Sequence, residues 1–220
     1  MSEPRLIDLS HLIEDGMTTY PGIPPPHVCD FLSRVASRTR YGEGTTFQIG
    51  RIDLVANTGT YLDSPFHRFE DGRDISQLAL AELADLPAVV VHAAGSRSID
   101  VAALAGIDVR GKALLVHTGW AQHWRTERYG QGHPFLTAAA AARLREQGVR
   151  LVGIDSLNID DAEDGRRPVH TTLLGAAIPI VEHLRGLEQL PLEGFLFSAV
   201  PPKVKGMGTF PVRAYASLDK

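Results

Sequence analysis

Short apolar runs of strand length recur along this 220-residue chain, and they constrain its fold more than any other feature. The runs span residues 88–91, 113–117, 149–154, 194–199 and 211–216. An alanine-rich segment at 137–147 is predicted to be a helix, with Thr137 as a candidate N-cap and Gly148 as a stop. This helix leads directly into the third apolar run. Strands that alternate with helices predict an α/β fold with a mixed sheet.

Two further segments, 75–86 and 100–105, are also predicted to be helical. The sequence contains no evident repeat, low-complexity segment or linker, so we expect a single domain over residues 1–220. A chain of this length can bury a sizeable hydrophobic core.

Charge and composition exclude several classes of function. The 22 basic and 26 acidic residues give a net charge of −4, so no basic field is present to attract nucleic acid or anionic lipid. No run approaches the ~20 apolar residues of a membrane-spanning helix, and the first residues, Met1–Arg5, lack a signal-peptide pattern. Cys29 is the single cysteine and cannot form an internal disulfide. We therefore expect a cytoplasmic protein whose partner is a small molecule.

The segment from Asn57 to His67 carries the densest chemistry and follows a strand-like run at 52–56. If the chain stays extended, the side chains of Asn57, Tyr61 and Asp63 share one face. Asp63 and His67 are four residues apart, and such a pair could orient and activate a water molecule. The alternative is a turn-rich loop in which Asp63 accepts hydrogen bonds from backbone amides and His67 is in solvent. Spacing alone leaves both interpretations open.

This segment resembles the signature of the cyclase family, which includes bacterial kynurenine formamidase and isatin hydrolase. The signature reads His-x-Gly-Thr-His-x-Asp-x-Pro-x-His. Five of its seven fixed positions match this sequence, at Gly59, Thr60, Asp63, Pro65 and His67. Asn57 and Tyr61 stand where the signature has its first two histidines.

The resemblance extends over nearly the whole chain, in four blocks that keep the order of the family. The blocks comprise residues 6–11 with 20–22, 118–120 with 129 and 133–134, 153–156 with 170 and 182–184, and 197–201 with 211–214. The fold that the resemblance implies is the family's swivelling β/β/α domain, a mixed sheet with flanking helices. It also implies a homodimer or a homotetramer.

In metal-dependent members of this family, the first two signature histidines and the aspartate bind a divalent metal, usually zinc or manganese. The resemblance implies a second metal position at Asp63, His170 and Glu182, with His67 as acid or base. The first position is weakened here, because a phenol must lose its proton to bind zinc and an amide oxygen is a poor zinc ligand. We therefore expect an altered, metal-free site, with one zinc or manganese held at the second position as the alternative.

Hydrolysis without a metal still requires an activated water and hydrogen-bond donors for the developing oxyanion. We predict that His67 is the base and that Asp63 is its partner. Tyr61 and Asn57 would donate hydrogen bonds to the oxyanion. Family members hold a flat substrate with aromatic residues, which correspond here to Tyr20, Phe66 and Trp120.

Two groups of charged residues each allow two interpretations. Asp155, Asp160 and Asp161 follow a strand that is predicted to be buried, and they either line a ligand cleft or form turns and caps. Arg166 and Arg167 either meet an acidic substrate or belong to a solvated loop.

The function implied by the resemblance is hydrolysis of a C–N or C–O bond in a small carbonyl compound, such as a formamide, lactam or lactone. One alternative is a metal-free lyase, isomerase or cyclase that uses Tyr61 and His67 in the same pocket. The other is a non-catalytic protein that binds a small molecule.

Overall fold

The computed structural model describes residues 4–20 and 22–218. Its strands, in chain order, are β1 (Arg5–Asp8), β2 (His27–Leu32), β3 (Ile49–Asp53), β4 (Tyr61–Asp63), β5 (Leu86–His92), β6 (Ser98–Ile99), β7 (Ala113–His117), β8 (Phe135–Leu136), β9 (Leu151–Ile154), β10 (Ile180–Glu182), β11 (Phe195–Ser198), β12 (Thr209–Pro211) and β13 (Tyr215–Leu218). Its α-helices are α1 (Arg34–Ser37), α2 (Ala138–Gln147) and α3 (Pro168–Gly175). Pro21, which belongs to the block 20–22 of the family resemblance, lies outside the described residues.

Within that range, nine strands form one mixed sheet in the order β1-β13-β11-β5-β7-β9-β10-β4-β12. The central strands β5, β7, β9 and β10 run parallel, and antiparallel strands extend the sheet on both sides. The mixed α/β fold predicted from the sequence is therefore confirmed. β2 and β3 form a separate antiparallel hairpin, and β6 pairs with β8.

The two faces of the sheet are covered by two hydrophobic clusters. Leu115 of β7 belongs to one cluster, and its neighbour Leu114 belongs to the other. The second cluster also contains Leu144 of α2 and Leu173 of α3, so these helices cover that face. Strands that are buried on both faces read as continuous apolar runs. This burial is the reason that the central strands can be recognised in the sequence.

The runs at 88–91, 113–117, 149–154 and 194–199 correspond to β5, β7, β9 and β11, as predicted. The helix predicted at 137–147 is α2, and both of its predicted ends are confirmed. The Thr137 hydroxyl accepts a hydrogen bond from Ala140 N at 3.1 Å, and Gly148 ends the helix in the left-handed conformation, with φ 76°.

The run at 211–216 is not a single strand, and that prediction is wrong. β12 ends at Pro211 and β13 begins at Tyr215, because the chain crosses here between distant positions in the sheet. Val212 and Ala214 are buried in this crossing. Their apolar character therefore reflects burial and not strand pairing.

The helix predicted at 75–86 is also wrong, because this segment forms two 3₁₀ turns, Ile75–Gln77 and Leu80–Glu82. Carboxylates fix both turns: the Asp74 side chain caps the first, and Glu82 accepts a hydrogen bond from a backbone amide in the second. Side chains that bond to nearby backbone in this way compete with continuous helix.

The segment predicted as a helix at 100–105 contains only a 3₁₀ turn, Val101–Leu104. The sequence did not predict α3, and its local signals are poor. Arg167 at its N-cap has a left-handed backbone and makes no side-chain cap bond. The helix start is capped instead by the Asp160 carboxylate, which accepts hydrogen bonds from the N–H groups of Val169 and His170. Because Asp160 lies several residues before Pro168, this cap leaves no capping pattern in the sequence next to the start of α3.

Candidate active site

The candidate site lies where β4, β10 and α3 meet. β10 pairs antiparallel with β4, and this register sets Glu182 directly opposite Tyr61. Tyr61 and Asp63 are two residues apart on β4, so their side chains lie on the same face. α3 adds His170 to this face, since the His170 ring lies within 4 Å of the carboxylates of Asp63 and Glu182.

Asp63 is completely buried, and its two oxygens have different surroundings. Oδ1 accepts a hydrogen bond from the hydroxyl of Thr209, the residue paired with Asp63 on β12. Oδ2 has no hydrogen-bond partner in the described part of the chain and lies 3.6 Å from His170 Nε2. Burial alone would raise the pKa of the Asp63 carboxyl, but the imidazoles of His67 and His170 bring it below its usual value. Asp63 is therefore a buried carboxylate whose Oδ2 receives no hydrogen bond from the described residues.

His170 stands in the first turn of α3 with its ring held in a fixed orientation. Its Nδ1 lies 2.7 Å from an oxygen of Asp160, which also caps the helix. Nδ1 thus carries the proton that is donated to Asp160, and Nε2 is left facing Asp63 and, at 3.7 Å, Glu182. Burial would lower the pKa of His170, but the three surrounding carboxylates raise it to about 10.

His67 ends the 3₁₀ turn Pro65–His67 and is more open, with 35% of its side chain exposed. Its Nδ1 lies 2.9 Å from the Thr209 hydroxyl oxygen but 3.8 Å from Asp63. Because the hydroxyl donates its own proton to Asp63, it accepts a hydrogen bond from His67 Nδ1. Asp63 therefore orients His67 through Thr209, whereas the sequence predicted a direct partnership. In the neutral imidazole, this tautomer makes Nε2 of His67 a hydrogen-bond acceptor.

Asp63, His67 and His170 each offer one ligand atom, and these atoms lie within 4.8 Å of one another. One carboxylate and two imidazoles form a donor set that suits zinc or manganese. The unpartnered Asp63 Oδ2 also fits a cation, since a buried oxygen otherwise needs a donor. The bond from His170 Nδ1 to Asp160 fits as well, because metal-bound histidines usually donate their other ring N–H to a carboxylate or carbonyl. The residues present are thus suited to one divalent cation.

Glu182, predicted as a metal ligand, lies beside this group rather than within it. Its Oε1 accepts a hydrogen bond from Ile159 N at 2.6 Å, and its Oε2 accepts one from the Tyr61 hydroxyl at 2.5 Å. Both oxygens therefore already have protein donors. Burial raises the pKa of Glu182 to about 7, although the neighbouring His170 acts in the opposite direction. Such a carboxyl can take up or release a proton near neutral pH.

Tyr61 and Asn57 occupy the positions of the two missing signature histidines. Tyr61 is 1% exposed, and burial together with Glu182 raises the pKa of its phenol well above the usual value. The phenol is therefore neutral and donates its single proton to Glu182. The donation from Tyr61 to an oxyanion stays a prediction; in this structure the phenol proton is donated to Glu182.

A pocket of about 280 Å³ opens at this group. Tyr20 and Asn57, two of the residues predicted to bind substrate, line it, and so do Tyr61, His67, His170 and Glu182. The remaining residues that line the pocket are Ile23, Arg68, Asn158 and Arg167.

Phe66 and Trp120, also predicted to bind substrate, do not line this pocket. Phe66 neighbours His67 on a tight 3₁₀ turn, in which successive side chains point in different directions. The Trp120 indole N–H donates to the carbonyl of Tyr129 at 3.0 Å, and the Arg128 guanidinium lies 5.5 Å from the Trp120 ring. These contacts hold Trp120 against a different turn.

Several residues of the site were missed or left undecided by the sequence. Thr209 and Asn158 were missed, and no local motif marks either of them. Asp160 caps α3 and holds His170, in line with the turn-and-cap interpretation, and Arg167 lines the pocket. Asp155, by contrast, accepts hydrogen bonds within a turn and lies outside this site.

Comparisons with known proteins agree with this geometry. The model of the Cyclase family, described as "Putative cyclase", matches residues 7–161. A kynurenine formamidase of Geobacillus thermodenitrificans (strain NG80-2) is 31% identical over 213 residues, which cover 94% of this chain and 95% of that protein. A solved structure described as a potential metal-dependent hydrolase with cyclase activity is 26% identical, with a TM-score of 0.81 and 99% of both chains covered. Isatin hydrolase A from Labrenzia aggregata shares the fold at 20% identity, with a TM-score of 0.82 and coverage of 99% of this chain and 94% of that chain.

The fold and the family match define the class of this protein. The chain belongs to the Cyclase family, and it is a hydrolase of that family. The resemblance recognised in the sequence is thereby confirmed. Among the described residues, no helix combines the length and the apolar character needed to span a membrane.

Proposed function

We propose that this protein hydrolyses the C–N bond of a small amide, such as a formamide or a lactam, with one divalent cation held by Asp63, His67 and His170. The observation that carries the proposal is the convergence of three ligand atoms, one of them from the buried Asp63 carboxylate, whose Oδ2 has no hydrogen-bond partner within residues 4–20 and 22–218. A cation at these residues would polarise the carbonyl group and supply an activated water. The similarity to kynurenine formamidases supports a formamide as the acyl group.

Glu182 is the proton acceptor in this proposal. It lies next to His170 at the inner end of the pocket, and its pKa of about 7 suits proton transfer near neutral pH. Tyr61 and the Ile159 backbone hold its carboxylate in place. The proton taken from the water passes to the leaving nitrogen, which departs as an amine.

The hydrogen bond between His67 and Thr209 supports a second mechanism for the same reaction. In that mechanism no cation is needed, and the unprotonated Nε2 of His67 takes the proton from the water, as the sequence predicts. Asn57, which lines the pocket, would then donate a hydrogen bond to the oxyanion.

Metal content and chelation separate these two mechanisms. We would purify the chain without a histidine tag, measure bound metals, and assay formanilide before and after chelation. The expected result is about one zinc or manganese per chain, with activity lost on chelation and restored by the metal. Full activity in the metal-free protein would refute the cation mechanism. If the loaded protein hydrolyses no formamide or lactam, the proposed function is wrong.

We also propose that the protein forms a homodimer through the β2–β3 hairpin. Phe31, Phe47 and Ile52 on and beside this hairpin are 70%, 51% and 59% exposed. A two-stranded hairpin with exposed apolar side chains is marginally stable alone in water, and a second copy would cover it. Light scattering should give the mass of a dimer for the wild type and of a monomer for Ile52→Glu. A monomeric wild type would contradict the proposal.

A further inference from the structure

Three consecutive residues that follow β9 contact or line the candidate site. Ile159 N donates to Glu182 Oε1 at 2.6 Å, and His170 Nδ1 donates to the Asp160 carboxylate at 2.7 Å. Asn158, directly before them, lines the pocket. This short segment therefore ties the carboxylate of Glu182 and the imidazole of His170 to a residue of the pocket wall.

The segment itself is held in place on both sides. Leu157 O accepts a hydrogen bond from His183 Nε2 at 2.8 Å, and the Asp160 carboxylate caps α3 by accepting from Val169 N at 2.7 Å. Asn158 is 7% exposed, so neighbouring atoms surround most of its side chain. A side chain held in this way has one orientation and loses little conformational entropy when a ligand binds.

One hydrogen bond determines which end of the Asn158 amide can meet a ligand. Asp160 N lies 2.9 Å from Asn158 Oδ1, and because a backbone N–H is a donor, the oxygen is the amide atom that faces this backbone. The link over two residues is an Asx turn. The NH₂ group forms the other branch of the amide, and neither of its hydrogens is donated to an acceptor within residues 4–20 and 22–218. Asn158 therefore offers the pocket a hydrogen-bond donor.

The chemistry of an amide substrate matches a donor at this place. Such a substrate has one strong acceptor, its carbonyl oxygen, and this oxygen becomes negatively charged when water adds to the acyl carbon. Neutral N–H groups that are already in position stabilise the charge without reorganising. The carboxylates of Asp63 and Glu182, by contrast, only accept hydrogen bonds when ionised and repel an oxyanion. Asn158 thus supplies a donor where these carboxylates supply acceptors.

We propose that Asn158 is a catalytic residue, whose Nδ2 donates a hydrogen bond to the carbonyl oxygen of the substrate amide and to the oxyanion that forms on it. This inference rests on the proposed amide hydrolysis. Water adds to the acyl carbon, and the C–N bond then breaks. The oxygen and one hydrogen of the water stay with the acyl group, which leaves as a carboxylic acid. The other hydrogen goes to the nitrogen, which leaves as an amine, and Asn158 keeps its own protons throughout.

Two substrates that differ at one atom test this inference. We would compare formanilide with thioformanilide, in which sulfur, a weak acceptor, replaces the carbonyl oxygen. N158A is expected to lower kcat for formanilide by about 100-fold, with KM changed by at most about fivefold, because the hydrogen bond strengthens as charge develops. Thioformanilide should lose less than about tenfold in the same variant. Equal losses for the two substrates would show a merely structural role and overturn the inference.

S156A is the matched control for disturbance of the segment. The Ser156 hydroxyl donates to Pro134 O at 2.7 Å, and Ser156 does not line the pocket. S156A should lower stability and leave kcat for both substrates unchanged. Both variants should keep the metal content of the wild type, because neither residue is a proposed ligand. A loss of metal in N158A would show that Asn158 only supports the ligand group and would refute the catalytic role.

N57A tests the other amide of the pocket, which is only partly buried. If N57A loses formanilide turnover and spares thioformanilide while N158A keeps both activities, the donor is Asn57 and the inference is wrong.

Calorimetric titration with formanilide covers the case in which no amide is hydrolysed. Formanilide should then bind the wild type and S156A equally and N158A about two- to fivefold more weakly, as for the loss of one neutral hydrogen bond. Weaker binding to N158A without turnover by the wild type would refute the proposed hydrolysis and leave the Asn158 contact standing. Normal turnover by N158A would overturn the inference and leave the proposed function standing. If the wild type neither binds nor hydrolyses formanilide, both are refuted.

Discussion

Two buried aspartates in this chain, Asp155 and Asp63, stand in regions of the sheet that use a carboxylate in different ways. Asp155 follows β9 at the carboxyl ends of the parallel strands, where ligand sites are common in α/β folds. Its oxygens accept hydrogen bonds from Thr118 N, from the Thr118 hydroxyl and from Gly119 N at 2.6–2.8 Å. Asp63, in the antiparallel part of the sheet, accepts one hydroxyl bond, and its other oxygen has no hydrogen-bond partner among the described residues.

Their surroundings also shift their pKa values in opposite directions. Burial raises the pKa of Asp155, and its hydrogen bonds offset this only in part. Two imidazoles keep the pKa of Asp63 below its usual value despite complete burial. Asp155 borders a cavity of about 500 Å³, larger than the pocket at Asp63. Neither cavity size nor position in the fold therefore distinguishes the proposed cation ligand Asp63 from Asp155; the oxygen without a described partner, beside oriented imidazoles, does.

The largest expected effect comes from exchanging each of these carboxylates for an amide. Asp63→Asn should lose the bound cation and at least about 10³-fold in kcat/KM for formanilide, because an amide oxygen carries no charge to balance the cation. Asp155→Asn should retain metal and activity and lose about 1–3 kcal/mol of stability, because one hydrogen bond in its turn is unmade. Metal analysis measures the bound cation, kinetics measure kcat/KM, and urea unfolding measures the free energy of unfolding. Normal cation binding by Asp63→Asn would contradict the claim that Asp63, unlike Asp155, holds the cation.

The parts of the molecule that could be predicted from sequence are those whose signals are local in the chain. The central strands are buried on both faces, so their composition alone reveals them, and α2 has local caps at both ends. Asp63 and His67 were predicted because the family signature covers them, and His170 because the wider family resemblance does. The spacing of Asp63 and His67 alone did not decide between a pair that activates water and a turn-rich loop.

The connections within the site could not be read in the same way, because they join residues that are distant in the chain. Thr209 links Asp63 and His67 across β12, and Asp160 links the start of α3 to the His170 imidazole. The predicted helix at 75–86 failed for a related reason: side chains that cap turns compete with helix, and composition does not show which of them prevails.

Asp160 provides the next test, since it supports the site without belonging to the ligand group. Asp160→Ala removes both the orientation of His170 Nδ1 and the cap of α3. We expect cation affinity to fall by roughly 10- to 100-fold and the free energy of unfolding to fall by about 2–3 kcal/mol. Zinc titration against a competing chelator measures the first effect, and urea unfolding of the metal-free protein measures the second.

Asp164→Ala is the matched control for this test. Asp164 lies in the same loop but pairs with the exposed Arg166, so its loss should leave cation affinity unchanged. Asp160→Ala with unchanged cation affinity would show that the carboxylate acts only as a helix cap.

The last prediction concerns stability alone and compares two buried imidazoles. Carboxylates surround His170 and raise its pKa, whereas His183 lies against the aromatic rings of Tyr61 and Tyr129, at centroid distances of 5.0 and 5.5 Å. The His183 ring donates from Nε2 to the carbonyl of Leu157 at 2.8 Å, and its Nδ1 has no partner among the described residues. Burial consequently lowers the pKa of His183 to about 4.

The unfolded chain binds a proton at this imidazole near pH 6.5, but the folded chain does so only near pH 4, where burial places the pKa of His183. The free energy of unfolding should therefore fall as the pH drops from 6.5 to 4, by about 3 kcal/mol from this residue, and this contribution should become constant below that window. His183→Asn should flatten this decline, and asparagine tolerates the left-handed φ of 57° at this position. Urea midpoints of the metal-free protein at pH 7 and pH 4.5 measure the effect, with the exposed His92→Asn as the control. An unchanged decline in His183→Asn would assign the acid sensitivity to other groups, with His11, whose pKa burial lowers to about 3, as the next imidazole to replace.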